Sequence, residues 1–288
     1  MRWQDLGQSS NARFGGGGGG RGLALGGGGL GLVAVAVIAM LFGVDPRVVM
    51  QGGAALQQAG PQQAGTAADT EQEQFVSAIL ASTEQVWGQE FQKNGSSYTP
   101  PQLRGFEGSI STGCGQGVSA MGPFYCPLDR TVYLDIGFFN ELSSRFGAGG
   151  DFANAYVIGH EVGHHIQTLT GTSEEVRRQQ ARVSKTQGNQ LSVRLELQAD
   201  CYAGVWAKRA NEDNIARNGR PLLEPGDVEE GLAAANAIGD DTLQRRSQGR
   251  VVPDAFTHGS SEQRVRWFRR GLEAGNPDVC DTFSSPNV

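Results

Sequence analysis

Residues 151–168 read DFANAYVIGHEVGHHIQT, and the fold is decided in this stretch. Phe152, Tyr156, Ile158 and Ile166 recur at helical spacing, Asp151 can cap the first turn, and Gly171 offers a stop. The pattern predicts a helix over 151–168 that carries three of the four histidines in the chain. His160 and His164 stand one turn apart, so both imidazoles share a face and can hold one tetrahedral metal ion. Glu161 sits beside them, where a carboxylate can act as base towards a metal-activated water. His165 lies about 100° further round the helix and cannot join the same ligand set; it is read as structural.

A catalytic zinc site needs a third protein ligand and one open position. The segment Glu196-Leu-Gln-Ala-Asp200 supplies the best candidate. Its i, i+4 spacing can bring Glu196 to the metal while Asp200 accepts the far N–H of a ligating histidine. Glu174, Glu175 and Glu212 are rivals, but none has an aspartate four residues later.

Further helical patterns cover residues 71–92, 173–186, 191–211, 227–238 and 260–274. Residues 130–138 (RTVYLDIGF) are rich in β-branched and aromatic side chains and read as a strand, expected at the sheet edge bordering the cleft. The expected class is α+β, mostly helical with a small β-sheet.

Upstream, residues 22–44 contain no charge, about the length that crosses a hydrocarbon core as a helix. Arg2, Arg13 and Arg21 precede them and only Arg47 follows closely, which places the N-terminus in the cytoplasm. The expected organisation is a Gly-rich cytoplasmic N-terminus at 1–21, a single transmembrane helix at 22–44, a flexible Gln/Ala/Gly linker at 45–70 and an extracytoplasmic metallopeptidase domain at 71–288. A cleaved signal is the alternative to an anchor. The chain has 24 basic and 30 acidic residues and a formal net charge of −6, which supplies no footprint for a nucleic-acid partner.

Cys114, Cys126, Cys201 and Cys280 all fall in the part expected to lie outside, where disulfides form. Three pairings are possible. Cys114 with Cys126 closes a short Gly-rich loop, and Cys201 with Cys280 pins the C-terminal tail to a helix. Four reduced buried thiols are the alternative.

With these motifs the chain resembles a bacterial family of neutral zinc metallopeptidases. The likeness rests on Met1-Arg2-Trp3, the Gly-rich tract, Gly122-Pro-Phe-Tyr-Cys126, Val132-Tyr-Leu-Asp135, His160-Glu-Val-Gly-His-His165 and Glu196-Leu-Gln-Ala-Asp200. It implies a zincin-like fold, a periplasmic or cell-surface location and peptide hydrolysis. Residues 257–264 (THGSSEQR) resemble a His-Pro-Ser-x-x-x-Arg pattern of certain membrane zinc peptidases, with Gly in place of Pro. His258 and Arg264 are accordingly expected to stabilise the oxyanion.

The expected function is zinc-dependent cleavage of protein or peptide substrates, with His160, His164 and Glu196 as ligands of Zn2+ and Glu161 as base. Two alternatives remain open: a non-catalytic zinc-binding scaffold, and a zinc hydrolase acting on a non-peptide bond.

Overall fold

The protein is described by a computed structural model covering residues 1–15, 66–286 and 288. The chain opens with a 3-10 turn at Trp3–Asp5 and a short strand β1 (Ala12–Arg13). Helix α1 (Glu71–Lys93) begins at a capping box, in which Thr70 Oγ1 accepts from Glu73 N while the Glu73 carboxylate accepts from Thr70 N. Its inner face buries Phe75, Val76, Ile79, Leu80, Val86 and Trp87.

Strands β2 (Gln102–Phe106), β3 (Ser109–Thr112), β4 (Gly115–Val118), β5 (Phe124–Cys126) and β6 (Thr131–Asp135) follow. A four-stranded sheet runs in the order β1-β2-β6-β5, with β5 antiparallel to β6 and the other pairs parallel; β3 and β4 form a separate hairpin. The expected cleft-edge strand is corrected here. Among the described residues β6 lies between β2 and β5 with all five residues buried, and β5 takes the edge. Unbroken burial is what a strand flanked on both sides shows.

Helices α2 (Phe138–Phe146), α3 (Asp151–Leu169), α4 (Thr172–Gln180), α5 (Lys185–Asn218), α6 (Asp227–Ala237), α7 (Asp240–Gln248) and α8 (Ser261–Ala274) complete the described body. The capping position of α3 is Gly150 rather than Asp151, which forms its first turn. α5 is a single helix whose start is fixed by a Ser184/Gln187 capping box.

Glycines set how closely α3 approaches α5. A Cβ at Gly163 would meet Ala199 Cα and its carbonyl oxygen at 3.0 Å, and one at Gly159 would meet the Trp206 ring at 2.8 Å. The two backbones can therefore close together alongside the histidines. Gly204 and Gly271 do the same between α5 and α8.

The expected topology with one transmembrane helix and a single-pass membrane location is overturned. Among the described residues no helix is long and apolar enough to cross a membrane, and residues 22–44 lie outside them. Met1, Trp3, Leu6, Ala12 and Phe14 are buried in the same core as Phe75, Phe139 and Phe152. Trp3 packs edge-on against Phe75 with ring centroids 5.7 Å apart, and Ala12 pairs with Leu103. A single span at 22–44 would place these partners on opposite sides of a bilayer. An uncharged stretch of that length permits a crossing but does not require one, and the partners of the first residues lie far along the sequence.

Candidate metal centre

His160 and His164 project from one face of α3 with ring centroids 4.8 Å apart and planes near perpendicular. Glu196, on α5, reaches both: Oε2 lies 3.1 Å from His160 Nε2 and Oε1 lies 3.4 Å from His164 Nε2. One donor atom from each of the three falls within 4.8 Å of the others. Zinc bonds of 2.0–2.2 Å in a tetrahedron give donor separations of about 3.3 Å. The set fits a zinc ion that keeps one position open, and two imidazoles with one carboxylate are an established catalytic combination for it.

Both imidazoles are aimed by partners on their far nitrogens. His160 Nδ1 lies 2.8 Å from Asp200 Oδ1, and His164 Nδ1 lies 2.9 Å from Gln167 Oε1. Asp200 is completely buried, one turn after Glu196 on α5, and also accepts from Tyr156 Oη at 2.5 Å. Burial opposes charge on His160, but the Asp200 and Glu196 carboxylates outweigh it and push its pKa up to about 10. Burial likewise works against charge on His164, and Glu196 overcomes it, so its pKa also rises. Against the same desolvation, Arg264 and His160 hold Asp200 down at about 2. Without a metal, then, the carboxylates here favour charge on both imidazoles.

Arg264 is placed differently from its sequence expectation. Its Nε and one terminal nitrogen donate to the two oxygens of Asp200, and the side chain is 3% exposed. Asp200 thus holds the guanidinium behind His160, while the residue also lines the cleft.

His258 lines the cleft, as do Glu161 and Arg264. Its Nδ1 lies 3.4 Å from Oδ1 of the buried Asp240, whose Oδ2 accepts the main-chain N–H groups of Thr257 and His258 (2.7 Å each) and of Gly259 (3.1 Å). Burial opposes the His258 charge, and Glu196 and Asp240 raise its pKa against that opposition. Gln167 and Asp240 were missed in the sequence; the only signal for Asp240 was an Asp-Asp pair opening a helix.

His165 sits on another face of α3, fully buried. Its Nε2 donates to the Thr99 carbonyl at 2.7 Å, which leaves Nδ1 to accept from Tyr125 Oη at 3.0 Å. Burial lowers its pKa to about 4.

The cleft over the three donors has a volume of about 330 Å³. Met121, Phe124, Tyr125, Phe138, Val157 and Leu243 give it largely apolar walls. A Cys114–Cys126 disulfide ties the β3–β4 hairpin to the edge strand β5, and a Cys201–Cys280 disulfide ties the residue after Asp200 to the C-terminal segment.

Residues 1–283 match the model of the family described as "Putative neutral zinc metallopeptidase". The chain belongs to that family. It is 49% identical over 247 residues to uncharacterized protein YpfJ of Escherichia coli K12, covering 86% of this chain and 83% of that one. It is 47% identical over 195 residues to uncharacterized protein Rv2575 of Mycobacterium tuberculosis H37Rv, covering 66% of this chain and 65% of that one. No solved structure matches it. Family members share a name that implies zinc and hydrolysis, and the three convergent donors are where this chain can hold that metal.

Proposed function

We propose that this member of the family is a zinc-dependent peptidase, with His160, His164 and Glu196 as metal ligands and Glu161 as general base. The observation that carries the reading is the approach of Glu196 to both Nε2 atoms, one through each carboxylate oxygen, beside an apolar cleft. When bound there, zinc supplies a Lewis acid that lowers the pKa of water to about 7.

The residues of the chain do the rest. Glu161 takes the proton of the attacking water and passes it to the departing amine nitrogen. His258, whose Nδ1 lies 3.0 Å from Thr257 Oγ1 and 3.4 Å from Asp240 Oδ1, presents Nε2–H in its protonated form to the oxygen on which negative charge develops. Asp200, Tyr156 and Arg264 hold His160 in place from behind. An extended peptide can run along β5, the edge strand bordering the cleft. The apolar walls favour an apolar side chain next to the bond cut.

The test is zinc stoichiometry together with chelator-sensitive cleavage of a quenched fluorescent peptide. Glu161→Gln should keep its zinc and lose about 100-fold or more in kcat. Undiminished cleavage by this variant would remove the proposal.

A further inference from the structure

The orientation of His164 depends on a side chain that no motif contains. Gln167 is fully buried and makes three hydrogen bonds. Its amide nitrogen donates to the Leu195 carbonyl at 2.6 Å and to Gln198 Oε1 at 3.1 Å, while its oxygen faces His164 Nδ1 at 2.9 Å. Gln198, the middle residue of the Glu196–Asp200 segment, in turn donates from Nε2 to the Cys280 carbonyl at 3.1 Å.

A main-chain carbonyl only accepts hydrogen bonds. Leu195 therefore requires the NH2 group of Gln167 on its side, and Cys280 requires that of Gln198 on its own. With both amides fixed, Gln167 offers only its oxygen to His164. Nδ1 must then carry a proton, which leaves Nε2 as the nitrogen that turns a lone pair to the metal position when zinc binds. Two main-chain carbonyls thus set a side-chain tautomer through a directional chain. The far end of that chain is held by the Cys201–Cys280 disulfide.

We propose that Gln167, braced by Gln198 against the Cys280 carbonyl, is the positioning residue that prepares His164 Nε2 to bind zinc. The inference rests on the metal ligands assigned above but not on peptide hydrolysis. His160 is aimed by a carboxylate and His164 by a neutral amide, so no second negative charge is needed beside the metal.

The experiment is chelator competition for zinc with the wild-type protein, Gln167→Leu and Gln198→Leu. Partners of metal-bound histidines are worth about 10- to 100-fold in metal affinity, and Gln167→Leu should lose that much, with a smaller loss in Gln198→Leu. Circular dichroism of the metal-free proteins reports whether they fold. Should Gln167→Leu fail to fold, nitrogen-15 spectra of the zinc-loaded wild type give the same answer: His164 should bind through Nε2 and show an Nδ1–H protected from solvent exchange.

Zinc affinity unchanged in folded Gln167→Leu, metal bound through Nδ1, or a freely exchanging Nδ1–H would overturn the inference while leaving the peptidase reading intact. A loss of zinc affinity in a protein that cleaves no peptide would uphold it and remove the peptidase reading instead. A wild type that binds no zinc would end both.

Discussion

Arg264 grips Asp200 through two parallel hydrogen bonds, Nε to Oδ2 at 2.8 Å and a terminal nitrogen to Oδ1 at 2.9 Å. Bidentate geometry of this kind is open to arginine and closed to lysine. Removing one partner of a buried pair leaves the other charge uncompensated, at a cost of about 3–5 kcal/mol. Arg264→Leu should therefore lower the midpoint of urea unfolding in metal-free protein, and Arg264→Lys should recover little of it. A stable Arg264→Leu protein that had lost only activity would return Arg264 to a direct role in catalysis.

His258 and Asp240 should behave as a unit. If His258 meets the developing oxyanion, His258→Ala should cost about 100- to 1,000-fold in kcat while zinc content stays at the wild-type level. Asp240→Asn keeps the shape but weakens the hold on Nδ1, and should give an intermediate loss with little change in KM. A double variant no worse than His258→Ala alone would show that Asp240 acts through His258; full additivity would separate them.

The cleft walls make a statement about substrates. Peptides carrying Leu or Phe beside the scissile bond should be cut faster than those carrying Asp or Lys. Leu243→Arg puts a cation into the wall and should lower kcat/KM for the Leu peptide by about tenfold or more. It should also improve the relative rate for Asp peptides. Equal rates for all four peptides would show that these walls do not read the substrate.

Acid should weaken the fold through His165. Folded His165 stays neutral down to about pH 4, whereas the unfolded residue takes up a proton near the ordinary histidine value of 6.5. Between these limits the unfolded state binds more protons, so stability falls as pH drops, by about 3 kcal/mol across the window. Urea unfolding at pH 7 and pH 5 measures the slope. His165→Gln can still donate to the Thr99 carbonyl and should flatten it.

How much of this was legible beforehand follows from the range of each interaction. His160, Glu161, His164, Glu196 and Asp200 stand out because one helical turn fixes which side chains share a face. The helix start after Thr70 is equally local, whereas the start at Ser184 was read as the interior of a helix over 173–186. Gln167 was not legible, since its role depends on carbonyls of Leu195 and Cys280 brought in from other segments. Nor was the Asp240 hold on the 257–259 turn, which forms only when α7 and α8 are in place. Arg264 was found by pattern, but its pairing with Asp200 was not, because nothing in its sequence neighbours shows that contact. The largest error came from reading residues 22–44 by length and lack of charge while Trp3 and Phe14 belonged to the core.

Phe14 and Thr66 exchange two main-chain hydrogen bonds, at 2.9 and 2.8 Å. Residues 14 and 66, fifty-two positions apart in sequence, are therefore held side by side on the body. Such a joint is a natural splice point. Joining Phe14 to Thr66 by an Asn-Gly turn should leave a folded, metal-binding protein, and foreign cassettes spliced there should be carried without harm. Cutting the chain to begin at residue 66 should instead strip β1 from the sheet and expose Leu103 and Phe75 to aggregation.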